Sequence, residues 1–209
     1  MDNLSLLLCS GGRAHRYRPP PFVSGRMIIR PYAHTDDRGA AMSSRFDHQF
    51  RAQADIYFGE VRLCGQPLDW RWFKAQAMAE SAMNPRAVSP AGARGLMQLM
   101  PATSAEIARE LNLPDQPFDP LLNIKFGVYY MHRMWRIFAE ERDLERLRFA
   151  QGAYNAGAGS IIKAQRLANP PDQWWAIAQV LPRVTGIGNA RQTTTYVKRV
   201  EAFYRELSC

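Results

Sequence analysis

Residues 70–103 read WRWFKAQAMAESAMNPRAVSPAGARGLMQLMPAT, and their division into an apolar helix and a glycine-bearing loop decides how the rest of the chain is to be read. Asp69, just after Pro67, is set to cap a helix through Trp72, Phe73, Ala75, Gln76, Ala77, Met78 and Ala79, which Asn84-Pro85 ends. One carboxylate, Glu80, lies near its end. Steps of three, four and seven residues back from Glu80 reach Ala77, Gln76 and Phe73, so the acid shares a largely apolar helical face. Burial among such groups disfavours the ionised form and raises the pKa, as a general acid working near neutral pH requires. Beyond the helix, Ser89, Pro90, Gly92 and Gly95 break regular structure, and Leu96-Met97-Gln98-Leu99-Met100 sets one amide between large apolar groups. Such a loop can wrap an extended ligand, with Gln98 offering both a donor and an acceptor.

An arbitrary helix glutamate is usually solvated, so Glu80 matters for the company it keeps. Glu80-Ser81, Ser89, Gly95-Leu96-Met97-Gln98 with Met100-Pro101 and Thr103, Ala153-Tyr154-Asn155-Ala156-Gly157, and Thr193 with Tyr196-Val197 follow one another along the chain. In that order and spacing they resemble the soluble lytic transglycosylase catalytic domain, over about residues 54–207. The resemblance implies a peptidoglycan-cleaving enzyme with Glu80 as its single general acid and base. It also implies Ser89 and Tyr154 as hydrogen-bonding neighbours, Met97, Gln98 and Asn155 as glycan-groove residues, and Tyr196 beside the site. Gln192 stands where the family usually carries Glu, which removes an auxiliary carboxylate from that corner.

The pattern of acids agrees with a one-carboxylate site. No acid lies between Glu80 and Glu106, between Glu145 and Asp172, or between Asp172 and Glu201, so the other signature segments bring none, although Asp115 or Asp172 remain as imports by folding. Glycoside cleavage ordinarily uses two carboxyls. The family's chemistry lets the substrate supply the second group, giving a 1,6-anhydro sugar. A hydrolytic muramidase like goose-type lysozyme, and a non-catalytic wall-binding or virion module, remain as alternatives on the same fold.

The flanks read as helices. Phe46, Phe50, Ala54, Tyr57, Phe58 and Val61 recur at helical spacing and predict a first helix over 46–63, packed against the Glu80 helix. Thr103-Ser104-Ala105-Glu106 forms a capping-box pattern for a helix to Leu111. Asp119-Pro120 opens a long helix with Ile124, Val128, Met131, Trp135 and Phe138 as its core stripe; Asn123, Gly127 and Tyr130 there look similar to the family's scaffold segment. Another helix runs from about Leu144 to Ala153 and exits at Ala156-Gly157-Ala158-Gly159. Ser160 is expected to cap the next, through Leu167, and Asp172 the one holding Trp174 and Trp175. Tyr196, Val200, Phe203 and Leu207 give a final amphipathic helix, and no strand pattern is seen. The expected fold is mostly α, a compact lysozyme-like helical domain with a glycan-binding groove.

With 209 residues and 46% hydrophobic content the chain can bury one good core, so we expect a catalytic domain over 46–209 and a disordered basic arm over 1–45, rich in Arg, Pro and Gly. The net charge of +8 suits a polyanionic partner, and eight Lys or Arg against one acid between Arg146 and Val200 put the positive field near two of the signatures. Peptidoglycan glycan strands are the expected partner. Nucleic acid lacks any recognition motif, and the domain is expected to be monomeric. Cys9, Cys64 and Cys209 are too scattered for a disulfide framework, and with the four histidines they suggest no metal; Cys64 reads as a small apolar residue and no cofactor is expected. No 18-residue apolar run is present, so no stable membrane insertion is expected. Leu4 to Cys9 resembles a lipoprotein-signal fragment, but Asp2 and the short apolar run argue against an export signal. The expectation is action in the periplasm or cell wall by a phage-encoded endolysin released from the host cytoplasm, or by a virion component.

Overall fold

The computed structural model describes residues 44–208; all but the last two residues of the expected arm, and Cys209, lie outside them. The described chain forms α1 (Asp47–Phe58), a hairpin of β1 (Arg62–Leu63) and β2 (Gln66–Pro67), α2 (Arg71–Ser81), α3 (Pro101–Leu111) and α4 (Pro120–Ile137). It continues with α5 (Asp143–Ala156), α6 (Ala158–Gln165), α7 (Trp174–Thr185) and α8 (Ile187–Ser208). The mostly α expectation holds. The hairpin is the exception, pairing Arg62 with Pro67 and Leu63 with Gln66, and it cuts the first helix short at Phe58. Cys64 is not the packed apolar residue expected: it sits exposed in the hairpin turn at φ 49, its N–H donating to Asp143 Oδ1 at 2.6 Å.

The long helix forms as its caps dictate. The Asp119 carboxylate accepts the Leu121 and Leu122 N–H groups at 2.9 Å each, and Pro120 occupies the first helical position. Ile124, Val128, Met131 and Trp135 are buried along α4, with Phe138 just past its end. α1 packs chiefly on α4 and only secondarily on α2, because Phe58 reaches the rings of Phe73 and Trp135 together. α2 packs chiefly on α8. The two are joined where Trp72 stacks on Tyr204, ring centroids 3.8 Å apart and nearly parallel, and where Arg71 reaches the Leu207 carbonyl at 3.2 Å.

Three caps differ from expectation, two of them because a long-range partner outbids the local one. α3 opens at Pro101 rather than at Thr103, since Ser104 gives its hydroxyl to Asp115 at 2.6 Å and Glu106 pairs with Arg133 of α4. Gly157, not Ser160, separates α5 from α6, so Ala158 and Gly159 belong to the first turn of α6. Glu145 of α5, not Asp172, accepts the Trp174 N–H at 2.6 Å and so caps α7. Asp172 is exposed.

Candidate active site

Asp69 prepares the helix that carries Glu80. Its carboxylate accepts the Arg71 N–H at 2.9 Å and its carbonyl the Trp72 N–H, two residues ahead of the regular helix. Phe73, Gln76, Ala77 and Glu80 are all buried, as their spacing predicts. α2 ends in two left-handed residues, Ala82 and Met83, rather than running to Asn84-Pro85. Glu80 thus lies in the last turn, 7% exposed, next to the point where the chain reverses.

Ser81 clips that point to the loop, its hydroxyl donating to the Leu96 carbonyl at 2.8 Å. The loop itself is braced from within. Arg94 exchanges both backbone hydrogen bonds with Leu99, and Gly95 N–H reaches the Ala87 carbonyl. Gly95 is required here, because its φ is +77 and a Cβ would stand 2.3 Å from the Pro117 carbonyl oxygen. Asn123 of α4 holds the loop from below. Its Oδ1 accepts the Met97 N–H at 2.7 Å, while its Nδ2 donates to the Arg94 and Pro117 carbonyls. Gly127, one turn on, lets the Met97 side chain lie directly on α4, since a Cβ there would meet Met97 Cβ and Cγ at 2.5 Å.

The candidate residues fall into two groups. Tyr154 and Tyr196 gather with Glu80, while Asn155, next to Tyr154, joins α5 to α8. Tyr154 donates its hydroxyl to the Met97 carbonyl at 2.8 Å, tying the end of α5 to the loop, and Tyr130 meets its ring edge-on at 5.1 Å. Tyr196 is buried beside Glu80 on α8. Asn155 accepts the Thr193 hydroxyl at 3.0 Å, which joins the segment from Ala153 to Gly157 to that from Thr193 to Val197, and its buried Nδ2 has no partner. Ser89, Met97 and Gln98 instead organise the loop. Ser89 Oγ accepts the Ala93 N–H at 3.0 Å. Met97 is fully buried, so its contribution beside Tyr154 is made through its carbonyl. Gln98, at φ 46, donates its amide to the Gly95 and Ala87 carbonyls at 2.9 and 3.2 Å.

Electrostatics single out Glu80. Burial pushes its carboxyl up from 4.5 to about 8, against smaller downward effects of the Tyr196 hydroxyl and the Arg199 guanidinium. It is therefore an uncharged acid at pH 7. No carboxylate acts on it among the described residues; Asp115 is bound to Ser104. Both Glu80 oxygens are buried without a hydrogen bond of ordinary geometry, as is the Tyr196 hydroxyl. Burial and then the Glu80 charge raise Tyr154 and Tyr196 well above the usual phenol value, with Tyr130 adding to the effect on Tyr154 and Tyr154 to that on Tyr196, so both stay protonated donors.

Sequence reasoning read Asn123 only as part of a scaffold segment, missed Arg199 as a neighbour of Glu80, and placed Gln76 on the Glu80 face without giving it a role. A polar side chain one turn past the Asp119 cap, on the buried side of α4, was the available signal for Asn123. Arg199, one turn after Tyr196, needed the packing of α8 on α2 to become visible.

Comparison with known proteins agrees with this geometry. The family model described as the transglycosylase SLT domain matches residues 62–176. A membrane-bound lytic murein transglycosylase F from Vibrio cholerae is 34% identical over 154 residues, covering 66% of this chain and 28% of that protein. One of the same name from Haemophilus influenzae is 37% identical over 139 residues, covering 64% and 26%. The crystal structure of the 70 kDa soluble lytic transglycosylase from Escherichia coli superposes with a TM-score of 0.58 at 27% identity, covering 80% of this chain and 26% of that one. A complex of the 70 kDa soluble lytic transglycosylase with bulgecin A gives 0.55 at 26% identity, covering 80% and 25%. This chain thus spans under a third of the length of each of these proteins. With the family model matching more than half of its residues and the lysozyme-like helical fold shared with solved lytic transglycosylases, the chain belongs to the transglycosylase SLT-domain family.

Proposed function

We propose that this domain is a peptidoglycan lytic transglycosylase that cleaves the β-1,4 bond between N-acetylmuramic acid and N-acetylglucosamine and closes a 1,6-anhydro ring on the muramoyl product. The observation that carries this reading is one buried, uncharged carboxylic acid at neutral pH with no second carboxylate acting on it.

Glu80 first donates its proton to the bridging oxygen as the bond from the anomeric carbon to that oxygen breaks. The acetamido oxygen of the same muramoyl sugar bonds to the anomeric carbon and takes up its positive charge, which replaces the missing nucleophilic carboxylate. Glu80, now ionised, accepts the proton of the 6-hydroxyl. That oxygen attacks the anomeric carbon, the acetamido bond opens, and Glu80 returns to its acid form. An intramolecular hydroxyl outcompetes water because effective molarities for well-placed groups reach about 10⁵ M or more. Tyr196 supports the ionised interval as a donor. Ser89, Met97, Gln98, Tyr154 and Asn155 shape the glycan groove, the first three chiefly through the loop they brace. The enzyme would work as a monomer on the periplasmic wall. Release from an infecting phage is one route there, tested by fusing the native N-terminus to a periplasm-only reporter; unaided export would refute it.

Mass spectrometry of sacculi digested by the wild type and by Glu80→Gln tests the assignment. Anhydro-muramoyl products from the wild type and none from the variant are expected. Products heavier by one water would make the enzyme a hydrolase, and undiminished wall clearing by folded Glu80→Gln would leave a binding module.

A further inference from the structure

The outer surface of the last two helices plays no part in the site. On α7, Trp175, Gln179 and Arg183 follow one another in steps of four and are all exposed. Past the Gly186 corner, Ile187, Arg191, Thr195 and Lys198 step by four, four and three along α8 and are exposed too. That row lies on the side of α8 opposite Thr193, Tyr196, Val197 and Val200, which are buried against the domain. A partner seated on it would leave the Glu80 corner uncovered.

Two properties set this face apart. It is cationic without compensation. No Asp or Glu occurs between Asp172 and Glu201, Glu201 is itself held by Arg148 at 2.6 Å, and Arg183, Arg191 and Lys198 form no ion pair among the described residues. The face also carries hydrocarbon in the open. Ile187 is 79% exposed, the most of any large apolar side chain among the described residues, and Trp175 is 54% exposed.

The charge limits what can cover it. Like charges oppose a second copy seated face to face, and they oppose residues 1–43, which carry six Arg against Asp2, Asp36 and Asp37. A glycan strand with acidic stem peptides would answer the cations but offer Ile187 little hydrocarbon. A bilayer surface with acidic headgroups answers both, because phosphates meet the cations while aromatic and aliphatic side chains settle at the acyl boundary. We infer that this face of α7 and α8 docks the domain on an anionic lipid surface, with Arg183, Arg191 and Lys198 on headgroup phosphates and Trp175 and Ile187 at the acyl boundary. The contact is peripheral, since no helix among the described residues is long and apolar enough to cross a membrane. It goes beyond the proposed function and holds whether or not the domain cleaves glycan.

The experiment is co-sedimentation of the full chain with vesicles of phosphatidylglycerol and phosphatidylcholine, set against phosphatidylcholine alone. Binding to the acidic vesicles, absent from the neutral ones and weakened by salt, is expected. A cation near such a surface contributes about fivefold in affinity, so Arg183→Ala with Arg191→Ala should weaken binding about 25-fold. Ile187→Ser should weaken it about fivefold to tenfold with no change of charge. Tryptophan emission should move to shorter wavelength on binding, and in Trp175→Phe that shift should vanish while binding remains. All four positions are exposed, so the variants should melt with the wild type by circular dichroism. Equal binding to neutral vesicles, no binding to acidic ones, or undiminished binding by the arginine or Ile187 variants would each overturn the inference. Capture by sacculi through these same residues without vesicle binding would overturn it too, by making the wall polymer the occupant.

Discussion

Replacing Glu80 by Gln should make the protein more stable, and only at the pH values where the acid would have to ionise. Between pH 4.5 and about 8 the folded chain keeps a proton at Glu80 that the unfolded chain has released. The stability this group contributes is complete below pH 4.5 and is lost as pH rises through the folded value. Each pH unit of that interval is worth about 1.4 kcal/mol, so the wild type forfeits about 3 kcal/mol by pH 7 and up to about 5 kcal/mol by pH 9. Set against a total of about 5–15 kcal/mol for an ordinary domain, that is a large share. Gln mimics the protonated acid in shape, so the two proteins should unfold alike at pH 4 and diverge above it. Urea unfolding at pH 4, 5, 7 and 9 measures the difference directly, because all other titrations are common to both proteins; Tyr154 and Tyr196, held well above their usual value, stay protonated throughout. Parallel stability curves would refute the burial argument, and with it the claim that Glu80 meets its substrate as an acid.

Wall-clearing activity should fall as pH rises above about 8, approaching tenfold per unit, because Glu80 then enters the reaction already ionised; a pH–rate profile with no alkaline limb below pH 9 would count against it as the proton donor. Asn123→Ala should cost about 2–4 kcal/mol, since it strands the Met97 N–H and the Arg94 and Pro117 carbonyls together, and activity should drop before the fold is lost; thermal melts and clearing assays on one preparation would reveal this. Gly95→Ala should cost more than about 2 kcal/mol, through both its positive φ and the Pro117 carbonyl in its path, and circular dichroism melts check it.

Much of this site was legible locally. The run from Phe73 to Glu80 needs only a helical period of 3.6 to put the acid on an apolar face, and Asp119-Pro120 needs only its own backbone to start α4. The same reasoning failed at Thr103, Ser160 and Asp172, where a cap was read from neighbours in the chain. At the first and last of these a group from afar intervened, as Arg133 pairs with Glu106 of the expected capping box and Glu145 of α5 claims the start of α7. Gln98 and Ser89 look like ligand contacts in a list of residues, yet they hold the loop together because its irregular backbone must satisfy its own N–H and C=O groups.

The amino-acid order alone determined a helical domain, an acid on a greasy face and the signatures that accompany it, since periodicity and turn chemistry act over a few residues. Only the tertiary structure decided that α8 lies against α2, bringing Tyr196 and Arg199 to Glu80, and that α4 grips the loop through Asn123. Those pairings join residues tens to more than a hundred positions apart, and their choice depends on which surfaces fit and on which buried polar groups find partners, neither of which any short stretch of the chain encodes.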